Sequence, residues 1–264
     1  MLIGRVRYDS RTFPVFYDKE ENMVFEIYAD IKSILGSFGK DIPISSQGID
    51  LESVEILVPV KPTKIVAVGK NYLGHIKEMD SEIPTEPVIF LKPSSCIIAH
   101  GSNVIYPNVS NRIEYEGELA LVIKKKMRNV QAKDIEINPE EYFGYTSFLD
   151  MTARDFQRTD IVWTRAKGFD TFGPFGPWIN IDPLPASLTI KTFLNGVIKQ
   201  DSNINKMVFS SFEILEFISF IMTLEVGDIV PTGTPDGVGQ VKISDIINLQ
   251  IENLSPLEVT ITEK

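Results

Sequence analysis

The sequence predicts a mainly β protein with few helices, an α+β chain without the strand–helix alternation of a doubly wound sheet or a TIM barrel. Three observations carry this. Residues 1 to about 60 are short β-rich runs separated by polar turns. A clear helical pattern occurs at 210–224. An Asn-Gly pair, Asn195 and Gly196, lies between two extended stretches and marks a hairpin.

Taken in order, "LIGRVRY", "TFPVFYD" and "MVFEIY" read as strands, and "DIKSILGSFG" as a short helix. The stretch "PVKPTK" (59–64) has two prolines and two lysines and reads as a linker. It divides a small N-terminal β domain, 1–60, from a larger domain, 61–264. In the larger part, "KIVAVGKNY" is a buried strand ending at Gly69, and "PVIFLKP" is another. "YEGELALVIKKKMRNV" is a third, and "GYTSFLDMTARDFQ" runs from strand into a polar helical segment. In "SSFEILEFISFIMTL", Ser210 and Glu213 have capping-box spacing. Ile214, Phe217, Ile218, Ile221 and Met222 form its apolar face. "GDIVPTGTPDGVGQ" is a strand entering a Gly/Pro loop, and "DIINLQIENL" and "LEVTIT" close the chain as strands.

Composition narrows the function. A hydrophobic fraction of 43% and a mean hydropathy of +0.02 describe a globular, soluble chain. No apolar run approaches the ~20 residues of a membrane span. No signal-peptide pattern follows Met1, so the expected location is cytoplasmic. A net charge of −10 argues against nucleic acid as a partner, whose binding rests on neutralised phosphates. The one cysteine, Cys96, excludes an intramolecular disulfide and a CxxC site, and reads as a small buried side chain. With only His75 and His100 available, a metal site must rely on carboxylates, which favours a hard ion such as Mg²⁺ or Mn²⁺. Phosphate-loop, dinucleotide, GxSxG and HExxH motifs are absent.

One stretch carries a conflict. In "NRIEYEGELALVI", Glu114, Glu116 and Glu118 alternate with Ile113, Tyr115, Gly117 and Leu119. Every second side chain of a strand shares a face, so three carboxylates line up and lead into Ala120 and Val122. Like charges repel, and a carboxylate in an apolar interior costs several kcal/mol unless paired. The face is either solvated or set against something positive. Glu116 and Glu118, about 6.5 Å apart at the backbone, can converge on one cation. Glu114 lies further out and reads as a solvated charge. Asp150, at the end of an apolar strand, is a candidate third ligand, although a strand-end Asp is more often a cap. Arg154 can clamp a carboxylate in a bidentate way. His75 and Glu78, at i and i+3, share a helical face and suit a general base, although a lone HxxE is common by chance. Lys167 precedes a Gly/Pro/aromatic loop, where most lysines are simply solvated.

Together, "GKNYLGHIKEM", "EPVIFLKPSS", "YEGELALVI", "FLDMTARDFQ", "WTRAKGFDTFGP", "LNGVIKQ", "IMTLEVGDIVPTGTPDGVG" and "IENL" resemble, in order, the fumarylacetoacetate hydrolase family. The resemblance runs over roughly 63–264 and is nearest to the acylpyruvase, oxaloacetate decarboxylase and hydroxyheptadienedioate isomerase branch. It implies a mixed β-sandwich roll with a small N-terminal β domain, a homodimer, and a Mg²⁺ or Mn²⁺ cofactor. It implies Glu116, Glu118 and Asp150 as metal ligands, and His75, Glu78 and Lys167 as catalytic groups. Lys92, Arg154, Gln157 and Thr234 match positions that hold substrate. Lys70 stands where many members have Arg, which loses bidentate geometry. The expected reaction is hydrolytic C–C cleavage of a 2,4-dioxo acid of acylpyruvate or fumarylpyruvate type, through an enolate. Isomerisation of 2-hydroxyhepta-2,4-diene-1,7-dioate and decarboxylation of oxaloacetate are alternatives on the same site. An inactive metal-binding scaffold is a remoter one.

Overall fold

A computed structural model describes residues 1–37 and 42–263. The end of "DIKSILGSFG", at 38–39, falls outside them. The chain is mainly β. A twelve-stranded sheet forms the backbone of the molecule, with smaller sheets of five and three strands. Most pairings are antiparallel; Ile229–Pro231 beside Ile65–Gly69 is parallel, which makes the large sheet mixed. The five-stranded sheet packs on strands Gly117–Ile123, Phe143–Leu149 and Gly173–Asn180, giving a sandwich. No helix among the described residues is long and apolar enough to cross a membrane.

The local signals explain the elements. Helix Ser211–Ile221 begins at a reciprocal capping box between Ser210 and Glu213. It buries Ile214, Leu215 and Ile218, while Ile221 stays exposed. Asn195 (φ 51) and Gly196 (φ 78) turn the chain from Thr189–Leu194 into Val197–Asn203, because an asparagine and a glycine tolerate two successive left-handed conformations. "DIKSILG" forms helix Ile31–Gly36, whose first N–H groups are accepted by Asp30. Cys96 is fully buried.

The first strands continue the large sheet. Leu2–Tyr8 pairs with Arg11–Asp18 on one side and, through Leu2 and Ile3, with Gly173–Asn180 on the other. The stretch expected as a linker is pinned. Pro59, Val60 and Pro62 are buried, and Thr63 and Lys64 are tied to Asp228. That carboxylate is fully buried and accepts from the Thr63 N–H and hydroxyl, from the Lys64 N–H and ammonium, and from the Glu225 N–H. Burial tends to raise its pKa, but the Lys64 ammonium and these donors outweigh burial and hold it below the usual carboxylate range.

A depressed folded-state pKa stabilises the fold above the unfolded value, about 3.9, and that stability is lost as pH falls through the folded value. Asp228→Asn should therefore cost about 2–4 kcal/mol at pH 7. Thermal melts should show the gap from wild type narrowing below pH 4; a constant gap would contradict the assignment.

Candidate metal centre and cavity

The site begins with a strand register. Gly117–Ile123 runs antiparallel to Phe143–Leu149 with Gly117 opposite Leu149. The residues just outside that pair, Glu116 and Asp150, are therefore opposed, and the Asp150 N–H donates to the Glu116 carbonyl at 2.9 Å. Glu118 lies two residues along the strand, on the face of Glu116. All three carboxylates are buried and offer oxygens within 4.8 Å of one another. Gly117 points to the opposite face. A Cβ there would run into Thr192 and crowd Gln200 and Leu249 of the second sheet, so the layers can close only over glycine.

Cations surround the acids. The Lys167 ammonium donates to Glu116 Oε2 and Asp150 Oδ2, each at 2.6 Å. Lys92 donates to Asp150 Oδ1 at 2.6 Å and to the Lys167 carbonyl. Arg154 opens helix Arg154–Thr159 and donates through Nη2 to Glu116 Oε1 at 2.6 Å, and through Nη1 to Gln157. Its Nε donates to Glu114 Oε2 at 2.6 Å, and Arg112 Nε donates to Glu114 Oε1 at the same distance. Glu114 is thus not a solvated charge. It is 3% exposed and clamps Arg154 from behind. Arg112, two residues earlier on the same strand face, was the local signal for this.

The electrostatics differ sharply along the triad. Burial alone would raise the Glu116 carboxyl, but Lys167 and Arg154 hold it well below the usual range. Glu118 accepts the Gly233 N–H at 2.8 Å and forms no ion pair among the described residues. Burial, reinforced by Asp150 and Glu116, pushes its pKa well up. Burial tends to lower Lys167, yet Asp150 and Glu116 keep it a firm ammonium. An all-oxygen set with one under-compensated carboxylate suits a hard divalent ion, so Glu116, Glu118 and Asp150 fit as its ligands.

A cavity of about 200 Å³ opens in front of Glu116 and Glu118. Arg154, Gln157, Lys167, His75 and Thr234 line it as well; Lys92 does not, standing behind Asp150. His75, 7% exposed on helix Leu73–Glu78, has Nδ1 at 3.2 Å from Glu78 Oε2. Glu78 in turn accepts the Gly237 N–H at 3.2 Å. Thr234 donates to the Gly117 carbonyl at 2.9 Å and accepts from Gln200 Nε2 at 2.8 Å. Gln200 also accepts the Gly117 N–H at 3.0 Å, so it supports the carboxylate strand. Asn71, fully buried, donates to the Phe209 and Thr232 carbonyls and accepts the Phe209 N–H. Nothing local in the sequence points to Gln200 or Asn71, because their partners are remote.

Glu116→Ala should abolish saturable Mn²⁺ binding in a calorimetric titration; affinity near wild type would refute the ligand assignment. Glu114→Gln should lower stability by about 2–4 kcal/mol, since it leaves a buried guanidinium short of a counter-charge; an unchanged denaturation midpoint would count against the clamp.

Residues 64–262 match the model of the fumarylacetoacetate (FAA) hydrolase C-terminal family. The chain is 44% identical over 229 residues to an uncharacterised protein of Archaeoglobus fulgidus, covering 85% of this chain and 90% of that one. It is 42% identical over 198 residues to a mitochondrial oxaloacetate decarboxylase of Dictyostelium discoideum, covering 72% and 89%. Among solved structures, a 2-hydroxyhepta-2,4-diene-1,7-dioate isomerase from Mycobacterium marinum superposes with a TM-score of 0.88 at 34% identity, covering 100% and 99%. A carboxylate triad opposed across two strands, within a sandwich shared along the whole chain and a family match over three quarters of it, makes this chain a member of the fumarylacetoacetate hydrolase family.

Proposed function

We propose that the protein is a divalent-metal-dependent hydrolase, with Mg²⁺ or Mn²⁺ as cofactor, that cleaves a C–C bond in 2,4-dioxo acids of acylpyruvate or fumarylpyruvate type. The observation that carries this reading is His75, paired with Glu78, on the wall of the cavity that Glu116 and Glu118 also line. A divalent ion held by Glu116, Glu118 and Asp150 would supply Lewis-acid polarisation of the substrate's 2-oxo group. Arg154 and Gln157 hold the adjacent carboxylate, and Thr234 borders the oxo groups.

Glu78 engages His75 at Nδ1 and leaves Nε2 for the cavity. His75 takes a proton from water, and the hydroxide adds to the 4-oxo carbon. The C3–C4 bond then breaks, its electron pair passing into the enolate of the pyruvate half. Lys167 offsets the charge that develops. His75 returns the proton to C3, so water and the dioxo acid become a carboxylic acid and a 2-oxo acid.

A second reading is favoured by the named relatives. One is an oxaloacetate decarboxylase and another a dienedioate isomerase. Loss of CO₂ from a 3-carboxylated 2-oxo acid, or proton movement along a dienol, uses the same enolate without attack by water.

A proton NMR time course with acetylpyruvate and Mg²⁺ separates the two. Chelator-sensitive appearance of acetate and pyruvate is expected. No cleavage, with chelator-sensitive loss of oxaloacetate or dienedioate, would move the assignment to the second reading. His75→Ala should slow acetylpyruvate cleavage by about 10²–10⁴-fold and oxaloacetate decarboxylation far less; equal losses would remove the water-activating role.

A further inference from the structure

Strands Leu2–Tyr8 and Gly173–Asn180 pair through Leu2 and Ile3, and beyond them each takes another partner. Arg5, Val6 and Arg7 pair with strand Glu55–Leu57, while Gly173 and Pro174 pair with strand Ile97–Ile98. The two short strands thus fill a fork between the two long ones. Pro59, just after the first of them, packs on Gly176, where a Cβ would stand 3.1 Å from its ring. A groove of about 640 Å³ is lined from both fillings of the fork. It shares no lining residue with the cavity in front of the carboxylate triad.

Its polar lining comes from three separate segments. Alternation puts Arg5 and Arg7 on one face of their strand, opposite Leu57 and Glu55. Lys61 comes from the stretch 59–64, and His100 from just beyond Ile98. Glu55 is the only acid on this lining, and Arg7 engages it at 2.6 Å. The neighbouring Lys64 has Asp228, whereas Arg5 and Lys61 form no ion pair among the described residues. In a chain of net charge −10, that leaves a concave site with positive charge to spare. Arg5 is half-buried, and among the described residues its guanidinium meets one acceptor, the Val58 carbonyl at 3.4 Å, close to Lys61 in the chain. Burial without a carboxylate beside it draws the Arg5 pKa down. A desolvated charge so weakly answered costs free energy that an anion would recover. His100 adds a neutral donor. Its Nδ1 accepts the Glu258 N–H at 3.1 Å, which leaves the ring proton on Nε2. Burial lowers the His100 pKa against a smaller opposing pull from Glu258, whose carboxylate accepts from Asn248.

We infer that this groove binds the phosphoryl group of a small phosphorylated molecule, with Arg5, Lys61 and the His100 Nε2–H as its donors. Donors from three segments, two of them charged, match a dianion with three acceptor oxygens better than a carboxylate with two. Half-buried Leu57, Ile97 and Ile98 line the groove beside them and cover the organic part. The site stands apart from the metal centre and is independent of the reaction proposed above.

The chain has two histidines, and His100 lines this groove while His75 lines the other cavity, so their imidazole signals report the two sites separately. Inorganic phosphate and phenyl phosphate are titrated into the Mg²⁺-loaded protein and followed by proton NMR, with His75→Ala assigning the signals. The His100 signal should move saturably, with a Kd of about 1 mM or tighter at low salt. Phenyl phosphate should bind several-fold tighter than phosphate. Lys61→Glu, at an exposed position, should weaken binding about tenfold or more, and Arg5→Lys should keep most of it. Absence of a saturable His100 shift overturns the site, as does a shift that chloride reproduces at equal ionic strength or that persists unchanged in Lys61→Glu. A shift confined to His75 puts phosphate in the other cavity and overturns it too. Equal affinity for the two probes overturns the organic part and leaves free phosphate as the ligand.

Discussion

Glu116 meets Asp150 because two neighbouring strands pair with Gly117 opposite Leu149 and with no other offset. A slip of one residue would turn Glu118 to the far face and bring a neighbour's side chain where Gly117 now admits the second sheet. Hydrogen bonding, side-chain alternation and layer packing thus impose one register together. The lysines, the arginine and the cavity are placed relative to acids whose positions this pairing has set.

Burying those acids demands compensation. Charges taken out of water cost several kcal/mol each, and attraction repays this only when the geometry is good and the remaining lone pairs are satisfied. Here the cations converge from separate parts of the chain. Lys92 ends strand Val88–Lys92, Arg154 begins a helix, and Lys167 ends the short helix Thr164–Lys167. Glu116 and Asp150 are held at both oxygens, which fixes their orientation. Among the described residues Glu118 is held through one backbone donor, so the positive charge still wanted by the cluster is wanted there.

The parts of the fold legible in the sequence were those written in local patterns. The Ser210–Glu213 capping box and the Asn195–Gly196 turn are signals a few residues long, and each appears in the structure as a helix start and a hairpin. The paired glutamates were legible because strand alternation needs no partner to be seen. What escaped depends on contacts across the chain. Glu114 was read as solvated because Arg154 is 40 residues away, although Arg112 beside it carried part of the answer. Gln200 reaches Gly117 over 83 residues, and Asn71 reaches Phe209 over 138. Lys92 was expected among the substrate-holding residues; the structure sets its ammonium on Asp150, a distinction that motif order does not encode.

The pairing of Leu2 and Ile3 with strand Gly173–Asn180 bears on how the chain can be divided. The family match starts at residue 64, which invites expression of the matched segment alone. Cutting there would strip the covering strand from Ile179 and Asn180, open their backbone donors and acceptors, and remove the Tyr17 ring stacked on Trp178. An uncovered, hydrophobic strand edge is a template for pairing with other chains. The isolated segment would therefore be prone to aggregation even with every ligand and lysine of the site still encoded. The edge at Ile179 and Asn180 is closed by residues that lie outside the matched segment.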